Sequence, residues 1–455
     1  MRRWWPSVAA GIAVLAVACT SAGPAQPPLG GGKAGPSADW PTFNRTAARD
    51  GVSVSSPPPG KLRKSWSAVV DGVVYAQPLI VGSDVIVATE NDSVYALNSA
   101  TGKVRWSRRL ATPVTGGLPC GNVAPSGITG TPVADVAAGR LWVVTFTSRP
   151  SFRHTLWELA TATGKTIGKR PIDAPGSDPR SQQERGALAL AGSRVYVPFG
   201  GLFGDCSDYK GRVVGAPVSG SGRLVTFTTR NERQAGIWAP AGESVRAGSL
   251  YVATGNGLPF NRVADSDSVL RLSPELRVLG SFTPAEFETL STLDQDLGST
   301  APALLPGGLV FQVGKQGTGY VLNGQMLGGV GGQLASAKVC EGGFGGDAVL
   351  GGTVVFSCYT SLRAVQVSSG NRGGHVTIRQ RWAVRGISPG PPIIAGGTVW
   401  DLSRHGTLTG YRFTDGKVVT SVAVGHVATD FPSAAASGSR IIVPASDKIV
   451  SYVGI

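Results

Sequence analysis

Acidic residues, histidines and long apolar runs are all scarce in this chain. Asp and Glu total 28 against 42 Lys and Arg, giving a formal charge of +14 over 455 residues. A surface so biased is drawn to anionic polymers or lipids. The basic residues do not cluster with interleaved aromatics, which argues against nucleic-acid binding. Four scattered histidines and five cysteines, none at metal-ligand spacing, argue against a zinc site. No serine sits in a nucleophile elbow and no histidine has a recognisable catalytic partner, so a hydrolase is disfavoured. No window sustains a helical period, and beyond the N-terminus no stretch is apolar and long enough to cross a bilayer as a helix.

At the N-terminus, Arg2 and Arg3 precede an apolar run from Val8 to Val17 that stops at Ala16-Val17-Ala18-Cys19. This reads as a signal peptide over 1–18, resembling a bacterial lipobox, with lipidation expected at Cys19. Removing Arg2 and Arg3 leaves a mature charge of +12. Residues 19–39, rich in Gly, Pro, Ser and Ala, form a flexible tether. The chain is therefore expected to be exported, lipid-anchored to the cell membrane and monomeric, with residues 40–455 as one extracytoplasmic domain. An oxidising compartment lets Cys120, Cys206, Cys340 and Cys358 pair. Three pairings are open; Cys120 with Cys206 and Cys340 with Cys358 are favoured because each would join neighbouring repeat units.

What is abundant is glycine, 65 residues, punctuating short runs of Val, Leu, Ile and Thr. A unit made of a small or Pro-containing segment, a Gly turn and a β-branched strand begins at Ala76, Thr131, Gly186, Ala239, Ala301, Gly345, Pro391 and Pro432. Spacings of roughly 40 to 60 residues fit one four-stranded blade per unit. The expected fold is an all-β, eight-bladed propeller of four-stranded antiparallel blades. The last unit is one strand short, and KLRKSWSAVV from Lys61 precedes the first unit as an orphan strand. That N-terminal strand is expected to complete the final blade and so leave no long open edge.

The segment Ala96-Leu97-Asn98-Ser99-Ala100-Thr101-Gly102-Lys103-Val104-Arg105-Trp106 resembles the tryptophan-docking repeat of pyrroloquinoline quinone (PQQ) propellers, with weaker copies at 158–169, 269–279, 362–370 and 408–418. In quinoprotein dehydrogenases of that family PQQ lies on a Trp face in the funnel, calcium polarises its quinone and an Asp takes the substrate proton. The resemblance implies Trp238 as stacking residue, Asn256, 18 positions on, as calcium ligand, and Asp294 with Asp296, the latter 40 positions further, as the acidic pair holding the base. It implies that Lys315, in Gly314-Lys315-Gln316-Gly317, reaches the cofactor carbonyl, and that Glu184 is the acidic residue nearest the second calcium-ligand position. Against this set, no two cysteines are adjacent and no Cys-x-x-Cys-His haem motif exists. The expected function is a non-catalytic binding or scaffold module of the envelope, with an envelope protein or anionic polymer as partner. The alternative is a PQQ- and calcium-dependent dehydrogenase of an alcohol or sugar.

Overall fold

Eight glycine-bearing hairpins organise the molecule. In each repeat the turn between the two innermost strands contains a glycine at positive φ, from 54° at Gly438 to 77° at Gly308. Tight hairpin turns need that backbone region, which glycine enters without steric cost. The computed structural model describes residues 39–53, 61–370, 375–428 and 430–454. The expected lipidation site Cys19, the expected signal segment over 1–18 and nearly all of the expected tether over 19–39 lie outside the described residues.

Each hairpin opens a four-stranded antiparallel blade, and the eight repeat units of the sequence are the eight blades of a propeller. Blade 1 runs through Leu79–Val81, Asp84–Thr89, Ser93–Asn98 and Val104–Arg109. Blades 2 to 7 follow in order, beginning at Val133, Ala189, Ser244, Ala303, Gly343 and Ile393. Blade 8 contains Ala435–Ser437, Arg440–Ala445 and Lys448–Gly454, and its outermost strand is the expected N-terminal one, Leu62–Val69, antiparallel to Lys448–Gly454. The ring closes because backbone groups at both ends of the chain satisfy each other.

Blades are held side by side by apolar faces. Ile86, Ala96 and Trp106 of blade 1 pack with Leu141, Val143 and Leu159 of blade 2. Three outer strands add an indole dock. Trp66, Trp106 and Trp382 donate Nε1–H, each at 2.9 Å, to the backbone carbonyls of Ser99, Thr161 and Phe413 in the next blade. Their rings lie on Gly102, Gly164 and Gly416, where a Cβ would come within 2.8 Å of indole carbon. Trp106 and Trp382 occupy equivalent register, opposite Ala96 and Ala364. The closing Trp of the 362–370 copy is thus displaced along the sequence by a longer turn, not lost.

The axis holds a feature the repeats gave no hint of. Innermost strands are edges, and residues 40–53 run across them. Carbonyls of Trp40, Pro41, Ala47, Asp50 and Gly51 accept N–H bonds from Ile80, Ala134, Val245, Val349 and Ile394, in blades 1, 2, 4, 6 and 7. The fully buried Arg49 donates to the carbonyls of Leu188 and Glu243. This segment satisfies edge groups that would otherwise face the channel unpaired.

Both expected disulfides are formed. Cys120–Cys206 spans 86 residues and joins the loop after blade 1 to a loop of blade 3; Cys340–Cys358 spans 18 and ties the approach to blade 6 to its second strand. No helix among the described residues is long and apolar enough to cross a membrane.

Candidate functional site

Four of the residues singled out from sequence, Trp238, Asn256, Asp296 and Lys315, meet at one place together with Asp294. The segment before Trp238 is strained: Gln234 and Ala235 have φ of 68° and 54°. It is fixed by N–H bonds from Ala235 to the Asn256 carbonyl, 2.7 Å, and from Gly255 to the Gly236 carbonyl, 2.9 Å. Asn256 N–H donates to Asp296 Oδ1 at 2.6 Å. Lys315 Nζ bridges Asp296 Oδ2 at 2.7 Å and Asp294 Oδ1 at 2.9 Å, and stands 5.7 Å from the centre of the Trp238 ring. Gly255 makes the convergence sterically feasible, since a Cβ there would lie 2.6 Å from Asp296 Oδ1 and 3.2 Å from Trp238 Nε1.

Burial raises Asp296 above the usual carboxylate range, opposed by the Lys315 ammonium and the Asn256 N–H. Burial draws Lys315 down, yet Asp296 and Asp294 outweigh it and the ammonium is held above its ordinary value. Behind the pair lies Asp267, whose carboxylate accepts from Ser291 Oγ at 2.6 Å and Leu297 N–H at 3.0 Å. Burial, reinforced by Asp296, pushes Asp267 up to about 7. Asp265 and Asp267 both sit at positive φ, 75° and 44°, as does Asp294 at 55°. Strained non-glycine backbone concentrates at functional sites when the surroundings over-determine it. The sequence signal for Asp267 was the Asp265-Ser266-Asp267-Ser268 run soon after Asn256, which reads as an ordinary polar loop.

Aromatic rings from two further blades complete the site. Phe344 and Phe431 lie 6.4 Å and 6.3 Å from Trp238, centre to centre, and 6.4 Å from each other; Tyr359 is 4.3 Å from Phe344. A second cation joins them. The Arg185 guanidinium lies 5.7 Å from the Phe431 ring and 5.8 Å from Tyr75, and donates to the Asp430 carbonyl at 2.9 Å. Phe344, on the first strand of blade 6, and Phe431 and Arg185, on blade connections, were not predicted; they lie far apart in sequence and carry no motif.

Glu184 is placed differently. It is fully buried; Oε2 accepts from Gly130 N–H at 3.3 Å, and Oε1 has no hydrogen-bond partner. Burial drives it well above the usual range, and its charged neighbours are Arg185, Glu243 and Glu90. No described contact brings it to Asn256 or Asp296. Calcium needs six to eight oxygens at 2.3–2.6 Å. As arranged, one Asp296 oxygen is covered by Lys315 and the other by the Asn256 N–H, so these residues do not assemble a calcium cage. Cys340, Glu341 and Cys358 bring potential ligand atoms together, but both thiols are spent in the disulfide.

Residues 21–271 match the family model described as outer membrane protein assembly factor BamB. Two polyvinylalcohol dehydrogenases are similar in sequence. That of Sphingopyxis sp. (strain 113P3) is 24% identical over 312 residues, covering 60% of this chain and 43% of the relative; that of a Pseudomonas sp. is 25% identical over 240 residues, covering 47% and 35%. The matches thus span less than half of those relatives' own length. Among solved structures, quinohemoprotein alcohol dehydrogenase from Comamonas testosteroni superposes with a TM-score of 0.68 at 15% identity, covering 92% of this chain and 81% of that one. BamB from Moraxella catarrhalis gives 0.60 at 12% identity, covering 86% and 99%. At such identities the structural likeness is one of fold.

Proposed function

The chain belongs to the PQQ-like propeller family whose model is described as outer membrane protein assembly factor BamB, and from that premise we propose an exported, lipid-tethered propeller whose funnel site binds a planar, carboxylate-bearing aromatic ligand of the PQQ class without turning over a substrate. One observation carries the reading: the Trp238, Phe344 and Phe431 cluster is flanked by two cations, Lys315 beside Trp238 and Arg185 beside Phe431. Aromatic faces suit a flat ring system, and the cations suit its carboxylates. The residues fit this organic group and do not assemble the metal. When bound, such a quinone supplies a two-electron acceptor. In this reading Trp238 offers the stacking face, Lys315 holds an anionic or carbonyl oxygen, and Asp296 fixes the ammonium. The N-terminal features at 1–39 support export and attachment through Cys19, and an envelope protein as partner.

The second reading, a PQQ- and calcium-dependent dehydrogenase of an alcohol or sugar, is favoured by the solvent-facing Asp294 carboxylate, 65% exposed beside Lys315 and so open to a substrate hydroxyl. Relatives named polyvinylalcohol dehydrogenase point the same way.

Calorimetric titration of PQQ into the purified chain, with and without Ca²⁺, tests both. Micromolar binding that ignores Ca²⁺, falls at least about tenfold in Trp238→Ala and reduces no dye with alcohols is expected. A folded chain that binds no PQQ overturns the ligand assignment. Calcium-dependent binding with alcohol-driven dye reduction replaces it by the dehydrogenase.

A further inference from the structure

The charge on the outermost strands is all of one sign. These eight strands carry eleven Lys or Arg and no Asp or Glu: Arg63 and Lys64 on blade 8, Arg105, Arg108 and Arg109 on blade 1, Lys169 and Arg170 on blade 2, Lys338 on blade 5, and Arg379, Arg381 and Arg385 on blade 6. All but the half-buried Arg170 are exposed. Only Arg105 has an ion-pair partner among the described residues, Asp84 at 2.7 Å. Seven of the eleven stand on the consecutive blades 8, 1 and 2. The indole docks lie among them: Trp66 and Trp106 are buried while the basic residues of the same strands are exposed, Arg108 reaching the Thr163 carbonyl of blade 2 at 3.2 Å.

We propose that this belt is a docking surface for a linear phosphodiester polymer of the cell envelope. Charge complementarity selects a polyanion, and eight of the eleven residues are arginines, whose planar fork matches phosphate. A belt spread over successive outer strands, with no concave site, suits an extended chain held at many weak points. Outer strands form the curved side wall of a propeller, which a flexible polymer follows and a flat bilayer touches over a fraction. Edge protection alone does not explain the pattern: it draws on lysine above all, whereas eight of the eleven are arginines.

The test uses the purified chain and a fluorescent synthetic poly(glycerol phosphate), followed by anisotropy at several salt concentrations around 0.15 M. Arg63→Glu, Lys64→Glu and Arg109→Glu are combined in one variant; Arg223→Glu, Arg262→Glu and Arg277→Glu, exposed and off the outer strands, form a control of equal net charge. The belt variant is expected to lose at least about tenfold in affinity, and its salt slope to fall by about two to three, one per lost phosphate contact, with the control within about threefold of wild type. Both variants should stay monomeric with unchanged melting, since glutamates protect an edge too. Equal losses in the two variants, no binding by wild type at about 0.15 M salt, or belt-dependent binding to anionic-lipid vesicles in place of the polymer overturns the assignment.

Discussion

Lys315 holds two carboxylates, Asp294 and Asp296, through one ammonium, while Asp296 is shielded from water. Removing one member of a buried pair leaves an uncompensated charge, whereas removing both costs far less. Lys315→Met is therefore expected to destabilise the fold by about 2–4 kcal/mol in denaturant unfolding. Adding Asp296→Asn should recover at least about half of that loss, because the amide oxygen still accepts the Asn256 N–H. A double variant no more stable than Lys315→Met would mean that the lysine's aliphatic packing, not the ion pair, matters. Lys315, Asn256, Trp238 and both aspartates were legible in the sequence because the family resemblance fixes their order. Arg185, Phe344 and Phe431 were not, since rings and cations carried on separate blades leave no local spacing to read.

Where a blade meets the next, one tryptophan does two things at once. Trp106 buries its ring on Gly164, and its Nε1–H is satisfied by the Thr161 carbonyl. Trp106→Ala leaves a cavity between blades 1 and 2 and is expected to cost about 3–5 kcal/mol. Gly164→Ala should be damaging for a separate reason: its φ is 65° and a Cβ would lie 2.4 Å from the indole. Urea unfolding of both variants checks this, and a loss below about 1 kcal/mol in Trp106→Ala would show that the dock is dispensable. The dock in blade 1 was plain in the sequence. The one in blade 6 was hidden, because the turn before Trp382 is longer than the repeat, and the one in blade 8 because Trp66 lies at the opposite end of the chain from the other strands of its blade.

Across the whole molecule, acids are buried in unusual number. Burial lifts Glu90, Asp267 and Asp401 to about 7, and Asp92 and Glu243 to about 8. Each folded-state value lies above its unfolded one, so between about pH 4 and pH 8 the native state retains protons that the unfolded chain has released. Stability from these groups is therefore full below about pH 4 and is lost as pH rises through 7 to 8. Scanning calorimetry at pH 5.5 and pH 8 should give a Tm lower at pH 8 by at least about 5 °C. An equal or higher Tm at pH 8 would mean that cations or water compensate these carboxylates. Glu341, lowered to about 2 despite its burial cost by bonds from Thr360 and Ser361, loses its contribution only at more acidic pH and lies outside this window.

The amino-acid sequence alone determined the blade number and the strand that closes the ring, and left three pairings of the four cysteines open. The first two each rest on a local signal: hairpin glycines recur with every blade, and an unmatched strand at one end fits a deficit at the other. Of the disulfides, only Cys340–Cys358 joins adjacent units; Cys120–Cys206 links blade 1 to blade 3 across blade 2. Only the tertiary structure decided what lies on the axis and around the wall. Residues 40–53 seal inner edges contributed by blades spread over the whole chain, Glu184 has Glu90 and Glu243 as charged neighbours instead of meeting Asn256, and eleven basic residues with no acid share the outer strands. Such groupings arise because closure of the ring brings equivalent positions of distant repeats to a common radius, and radius is not written in any one repeat.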